Sequence, residues 1–336
     1  MRTERVSIAT DAIPTRERED FMLCNKLAAA MLLAAVAAAP QARAAETLQV
    51  GAVGAANAVV WPHYIAEAKG LYADQGLSID LYYSDSSPGT LQALTGGSTR
   101  IAIAVGLSDP THAVLRGANL AIVRIDGQVG PYALLANKAI HSIKDLKGKK
   151  VSVDAAAGTT MVYFDIMATK NGMTRKDVDY FFAGATAARF AALEAGATDA
   201  AMLTAPQLFT AQTHGFVDIG DVYTYAPDVP FTSEVVSRDW AAANKATMKK
   251  YLTAYGKAIA WFYDTKNRAE AIQILLKVTK MNEDDIAKSY DLFQKIDYFD
   301  KSDKVSMKKM EGYIKAQERV DGPISLDPKK LVLDIE

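Results

Sequence analysis

Short apolar runs alternate with amphipathic segments along the first two thirds of this chain, in two successive rounds. That alternation restricts the fold more than any other feature. A strand–helix–strand order builds a mostly parallel sheet covered on both faces. In the first round Thr47–Val53 (TLQVGAV), Leu77–Tyr83 (LSIDLYY), Ile101–Val105 (IAIAV) and Leu120–Ile125 read as strands. Val59–Lys69, Thr90–Thr95 and Asp109–Leu115 read as the helices between them, the first two closed by glycines. The second round begins with Pro131–Ala136 and continues through strands at Val151–Val153, Val178–Phe182 and Ala200–Leu203. Its helices are Ser142–Lys147, Thr159–Lys170, Ala185–Glu194 and Ala205–His214. Two rounds imply two lobes.

An internal echo supports that division. Leu94–Ala102 (LTGGSTRIA) lines up with Leu193–Ala201 (LEAGATDAA); each ends a helix at glycine, turns, and enters a buried strand. After Phe231–Ser237, a further strand, the character changes. Trp240–Asp264, Asn267–Val278, Asn282–Gln294 and Val305–Arg319 read as amphipathic helices, with Asp239 and Asn282 as N-caps. The C-terminal third is therefore helical. No low-complexity linker separates the lobes, so the chain must pass between them through short strand-like crossings, and more than once.

Residues 22–45 have a different design. A short positive start precedes the apolar run Leu27–Ala39, then Pro40 and the small-x-small triplet Ala42-Arg43-Ala44. That is the layout of a secretory signal peptide. The run is too short for a bilayer span, which needs roughly 20 residues. Met22 reads as the start and 1–21 as a polar extension, so 1–45 is set aside as signal and the mature chain works in the periplasm. Cys24, the single cysteine, precedes the apolar run, where a lipid-modified cysteine would follow one. The mature chain then has no disulfide and no thiolate metal site. Residues 1–44 hold 6 of the 38 Lys+Arg and 5 of the 39 Asp+Glu, leaving 32 against 34. So near-neutral a balance offers no footprint for nucleic acid and no membrane-binding patch. No later segment has the 18 or so consecutive apolar residues of a membrane span.

Motifs for bond chemistry are missing. The histidines at 63, 112, 141 and 214 are scattered, without metal-ligand spacing. There is no Gly-x-Ser-x-Gly elbow, no phosphate loop ending in Gly-Lys-Ser/Thr and no G-x-G-x-x-G. The expectation is no enzyme, no metal and no cofactor.

Residues 50–83, VGAVGAANAVVWPHYIAEAKGLYADQGLSIDLYY, carry a family resemblance. The strand, the helix ending Ala66-Glu-Ala-Lys-Gly70-Leu71-Tyr72 and the Gly76-Leu77 turn resemble the opening of the periplasmic solute-binding proteins of the nitrate/sulfonate/taurine and thiamine-precursor group. Leu91–Gly97, Ile143–Lys149 and Ala192–Ala200 fit the same pattern. Arg100 departs from it, standing where the first-lobe turn of the family carries an acid; the second lobe keeps Asp199. The resemblance implies a two-lobed periplasmic-binding-protein fold of type II, each lobe a mostly parallel sheet flanked by helices. Lobe one would hold 46–136 with 229–336, and lobe two 137–228. Strands near Tyr132–Ala136 and Thr232–Ser237 would form the hinge. It further implies a monomer that captures a small-molecule solute between its lobes and presents it to the membrane permease of an ABC importer. Enzymes similar to the same clamp exist, but one such family uses a cysteine-rich motif absent here, and they are cytosolic.

Ligands of open α/β sheets bind outside the carboxyl ends of strands. By that rule the candidate ligand residues are Asn57 and Trp61 after the first strand, and Ser84, Asp85 and Ser86 after the second. Gly106 and Ser108 follow the third strand, and Gly158, Thr159 and Thr160 open a helix of the second lobe. Gln128, Thr204 and Gln207 stand at strand ends or near the hinge. Small residues let backbone approach closely, and helix starts offer free N–H groups to an anion. Trp61 would stack on a ring or pack in the core. Arg189 would pair with an acid or reach water rather than touch the ligand. These features lead to a small organic anion, a sulfonate or carboxylate, possibly aromatic. The alternative is a neutral nitrogen heterocycle such as a thiamine-type pyrimidine, held by Asp85, and a different class stays open, an exported enzyme or a sensor partner on the same clamp fold.

Overall fold

The computed structural model describes residues 45–55, 57–302 and 304–335, so the signal-like segment lies outside it. The first round comprises β1 (Glu46–Val53), α1 (Trp61–Ala68), β2 (Leu77–Ser84), α2 (Ser87–Thr95), β3 (Ile101–Gly106), α3 (Ser108–Leu115) and β4 (Leu120–Gly127). The second comprises β5 (Tyr132–Ala136), β6 (Lys150–Val153), α4 (Thr159–Lys170), β7 (Asp179–Phe182), α5 (Thr186–Glu194), β8 (Ala200–Thr204), α6 (Gln207–Thr213), β9 (Val217–Asp221) and α7 (Val222–Tyr225). β10 (Thr232–Ser237) leads into α8 (Arg238–Ala243), α9 (Lys245–Tyr263), α10 (Arg268–Thr279), α11 (Glu283–Lys295) and α12 (Met307–Asp321).

Two five-stranded sheets result, ordered β2-β1-β3-β10-β4 and β7-β6-β8-β5-β9. β1 runs parallel to β2 and β3, and β6 runs parallel to β7 and β8. β10 and β5 are antiparallel to both of their neighbours. Each sheet thus has four strands in one direction and one reversed, and the reversed strand is the one that has just arrived from the other lobe. The two-lobed α/β architecture, mostly parallel in each lobe, is present.

Tyr132–Ala136 was grouped with the first lobe on sequence; it lies instead between β8 and β9 in the second sheet. The reason is its burial: every residue of YALLA is buried, which suits an interior strand and not an exposed hinge. The crossings are the shorter segments at 128–131 and 226–231. β9 and α7 escaped sequence reading because VDIGD is short and half-buried, with two acids and a glycine among its five residues. Trp240–Asp264 is two helices, broken at Asn244, where ψ is 34° and the side chain bonds back to the Trp240 carbonyl at 2.8 Å. Ser237, not Asp239, stands at the N-cap of α8. Asn282 does cap α11, its Oδ1 accepting the Asp285 N–H at 2.8 Å.

Both faces of the first sheet are covered. Ile101 and Ile103 pack with Trp61, Ile65 and Tyr255 on one side. Ala102, Val105 and Ile122 pack with Leu91, Met310 and Tyr313 on the other. Each such side chain contributes about 1.5–3 kcal/mol when removed from water. The first lobe also buries charge. β10 bulges around Glu234, and opposite it Ala104 adopts φ 57° and donates its N–H to Asp126 Oδ2 at 3.2 Å. Burial, with the Asp126 charge second, pushes the Glu234 carboxyl well above its ordinary range. Burial, then Arg124, holds His63 down at about 3, so its ring is neutral, with Nδ1 2.7 Å from the Tyr72 hydroxyl.

The crossings run side by side, with the Phe231 N–H bonded to the Gly127 carbonyl at 2.9 Å. Tyr163 of the second lobe donates its hydroxyl to the Pro230 carbonyl at 3.0 Å, and the Phe231 and Tyr132 rings meet edge-on at 5.0 Å. Gly130 is required here: a Cβ would stand 2.8 Å from both Tyr163 and Val222. Gly130→Ala therefore overpacks the crossing, with an expected loss of about 1–3 kcal/mol in a denaturant melt. An unchanged midpoint would show that the crossing is not packed as described.

Candidate functional site

The carboxyl ends of β1, β2 and β3 form a rim in the first lobe, and those of β6, β7 and β8 form one in the second. The rims meet at Gly106. A Cβ on that residue would lie 2.6 Å from Thr159 Oγ1, the first residue of α4. Beside it, Ser108 Oγ is 3.4 Å from the same hydroxyl and donates to Gln317 Oε1 at 2.7 Å. Ser108, Thr159 and Gln317 are buried. The Gln317 amide also donates to the Ala157 carbonyl at 3.1 Å, so the small-residue loop of the second lobe is bonded to the first.

The start of α4 already holds an anion of its own. Asp154, at the end of β6, accepts the Thr160 hydroxyl at 2.7 Å and the Thr160 N–H at 3.3 Å. It also accepts the Ala155 N–H at 2.8 Å, while its own N–H donates to Thr160 Oγ1. Gly158 makes room for that carboxylate, which a Cβ there would strike. Thr160 and Gly158 therefore shape the loop around Asp154. In the first lobe Asp109 stands in the first turn of α3. Burial, and then the nearby Asp154 charge, pushes its carboxyl up to about 6; His112 and a hydrogen bond from Ser87 act in the opposite direction. Ser87 Oγ also accepts the Gly106 N–H at 3.2 Å.

The other sequence-derived candidates fall into place around this joint. Asn57 spends its amide on its own loop, accepting from Val59 N–H and donating to the Val53 carbonyl, both at 3.1 Å. Ser84 donates to the Ser86 carbonyl at 2.9 Å, and Ser86 caps α2 through the Gly89 N–H at 3.3 Å. Asp85 is exposed on the rim. Thr204 is buried and bonded to the Pro131 carbonyl of the first crossing at 3.3 Å. Gln207 is half-buried at the start of α6. Gln128 turns toward the C-terminal segment, its N–H on the Tyr298 carbonyl at 2.8 Å, and helps line a hollow of about 280 Å³ behind the crossings.

Trp61 requires a correction. It is fully buried, with its ring 5.5 Å from Phe293, so it is a core residue and not a stacking platform. At the helix start expected of Gly158–Thr160, the Thr160 N–H and hydroxyl are taken by Asp154. Arg189 is buried without reaching water: Nε donates to the Met202 carbonyl at 2.7 Å and Nη2 to Thr186 Oγ1 at 2.9 Å.

Sequence reading missed Asp109, Asp154, Gln317 and an aromatic pair at the rim. Tyr64 donates to the Ala55 carbonyl at 2.6 Å and lies 3.0 Å from the Tyr83 hydroxyl, which is exposed. Asp154 had a signal, an acid between a strand and a small-residue loop that opens a helix. Gln317 had none, being one polar position among many on an amphipathic helix. Among the described residues no group of three His, Cys, Asp or Glu is placed to hold a metal, and no helix is long and apolar enough to cross a membrane.

A pair of sheets whose strand ends meet across a buried joint, linked by two short crossings, defines a two-lobed binding-protein clamp. The comparisons with known proteins agree. The family profile described as NMT1/THI5 like matches residues 57–269, and the chain belongs to that family. A candidate binding protein of Brucella abortus is 28% identical over 232 residues, 67% of this chain and 70% of that protein. The periplasmic aliphatic sulphonate binding protein SsuA of Escherichia coli has the same fold, with a TM-score of 0.70 and 19% identity over 86% of this chain and 92% of its own. The periplasmic nitrate-binding protein NrtA of Synechocystis PCC 6803 aligns with a TM-score of 0.64 and 19% identity, covering 73% of this chain and 69% of its own.

The Asp109 shift has a definite pH consequence. A carboxyl raised from 3.8 to about 6 on folding contributes stability below its unfolded value and loses that contribution as pH rises through 6. Asp109→Asn cannot ionise, so its melting temperature should gain relative to wild type as pH rises from about 3 to about 7. An equal difference at both ends of the range would contradict the shift.

Proposed function

We propose that this chain is the solute receptor of an ATP-driven importer, working in the periplasm as a monomer and performing no bond chemistry. Solute enters between the lobes, stabilises the shut form, and is handed to a membrane permease that distinguishes shut from open. The observation that carries this reading is the buried joint of Gly106 and Ser108 with Thr159, where strand ends of both lobes converge as a ligand site of this fold requires. Family membership and the shared fold of sulphonate- and nitrate-binding proteins support it.

For the solute, the acids favour the nitrogen-heterocycle reading over the organic anion. Asp154 takes the Thr160 N–H and hydroxyl at the helix start, and Asp109 stands close enough for the two charges to interact. Like charges at such a partly buried site repel more strongly than they would in bulk water. A solute bearing N–H donors or a positive charge turns that repulsion into attraction. The aromatic rings of Tyr64 and Tyr83 suit a flat ring at the rim.

A thermal-shift comparison separates the readings. Ligand that binds only the folded state adds about 2.7 kcal/mol when present at about one hundred times its Kd. Cytosine and a methylated aminopyrimidine should raise the melting temperature, and Asp109→Asn with Asp154→Asn should abolish the rise. A rise with ethanesulfonate or nitrate alone would favour the anion reading. No rise with any solute in a broad screen would defeat the receptor assignment.

A further inference from the structure

We propose that α12 is a latch that holds the two lobes shut, and that Gln317 on its inner side is a positioning residue of the site. By packing, α12 belongs to the first lobe: Met310, Tyr313 and Ile314 are buried with Leu91, Val105 and Ile122 on the outer face of that sheet. Its last turns nevertheless bond to the second lobe. Gln317 has no exposed surface. Its Oε1 accepts the Ser108 hydroxyl at 2.7 Å and the Tyr313 hydroxyl at 3.0 Å, and its Nε2 donates to the Ala157 carbonyl at 3.1 Å and to Asp321 Oδ2 at 2.9 Å. One amide thus ties the Ser108 wall of the first lobe to the Ala157 loop of the second.

Two residues further on, Arg319 grips α4 itself. Its Nε donates to Asp165 Oδ2 and its Nη2 to Thr169 Oγ1, both at 2.7 Å. Arg175, just past α4, reaches back to the Val320 carbonyl at 3.1 Å. The Asp165 carboxylate is 10% exposed and the Arg319 side chain 40%, so the pair sits at the edge of the joint with its acid sheltered.

These bonds share one consequence. Moving the lobes apart must break the Gln317, Arg319 and Arg175 contacts together, and must uncover a buried amide whose partners lie on both sides. α12 therefore biases the shut form whatever the solute is, and the inference reaches beyond the solute assignment. The helix also lies past residue 269, where the family match ends.

Amide hydrogen exchange with no solute added reads the latch directly, with small-angle scattering as the measure of width. Arg319→Ala and Asp165→Asn cut one bond from opposite lobes. Each should speed exchange of the amides at 159–162 by roughly tenfold and enlarge the radius of gyration. Gln317→Leu, close in volume but unable to bond, should do the same. Lys69→Ala, which removes a surface pair to Glu270 within the first lobe, should change neither. Folded Arg319→Ala and Asp165→Asn proteins with wild-type exchange and radius would overturn the proposal. So would an acceleration spread evenly over the chain, because that reports lost global stability and not opening.

Discussion

The structure depends on how closely a strand end of one lobe can approach a helix start of the other. Gly106 permits that approach by having no side chain, and Thr159 occupies the space a Cβ would need. Everything that makes this molecule a clamp converges there. β3 ends at Gly106 and α3 begins two residues later, so Ser108 comes beside the same threonine. On the far side the loop from Asp154 to Gly158 must be tight, and it is made of small residues wrapped around one carboxylate. A bulkier residue at 106 would separate the lobes before any ligand did so.

Electrostatics then decide what the joint can accept. Helix starts near strand ends are generic anion sites, and sequence alone suggests one here. The folded chain fills the α4 start with its own Asp154 and sets Asp109 nearby, so the local balance is negative. The charge buried in the body of the first lobe is a separate matter. Arg124, Asp126, Glu234 and His63 lie within a tyrosine-lined interior, where a bulge in β10 turns Glu234 inward. That cluster lies where the register of β10 against β3 and β4 shifts.

The fold was largely legible in the sequence because strand and helix periods alternate cleanly through both lobes. Thr159–Lys170 matched to the residue, and most strands matched within one or two. The misplaced elements each have a physical cause. Tyr132–Ala136 was assigned to the wrong lobe because an apolar strand carries no mark of which sheet will bury it. β9 went unread because a short edge strand half in water, rich in acid and glycine, looks like a loop. The site was legible only in part. Local position singled out Gly106, Ser108 and Thr159, since they follow strands, and the fold brings the three together. It could not tell that Asn57, Ser84 and Ser86 satisfy their own loops, or that Trp61 faces the core. Nor could it reach Gln317, which is 209 residues from the serine it bonds.

A crystal structure grown with the solute that most raises the melting temperature tests the central idea most directly. The account predicts density for that solute enclosed between the Gly106–Ser108 end of the first sheet and the Asp154–Thr159 turn of the second, within reach of both. Solute bound outside that gap, or two lobes fused there with no room for a guest, would contradict it.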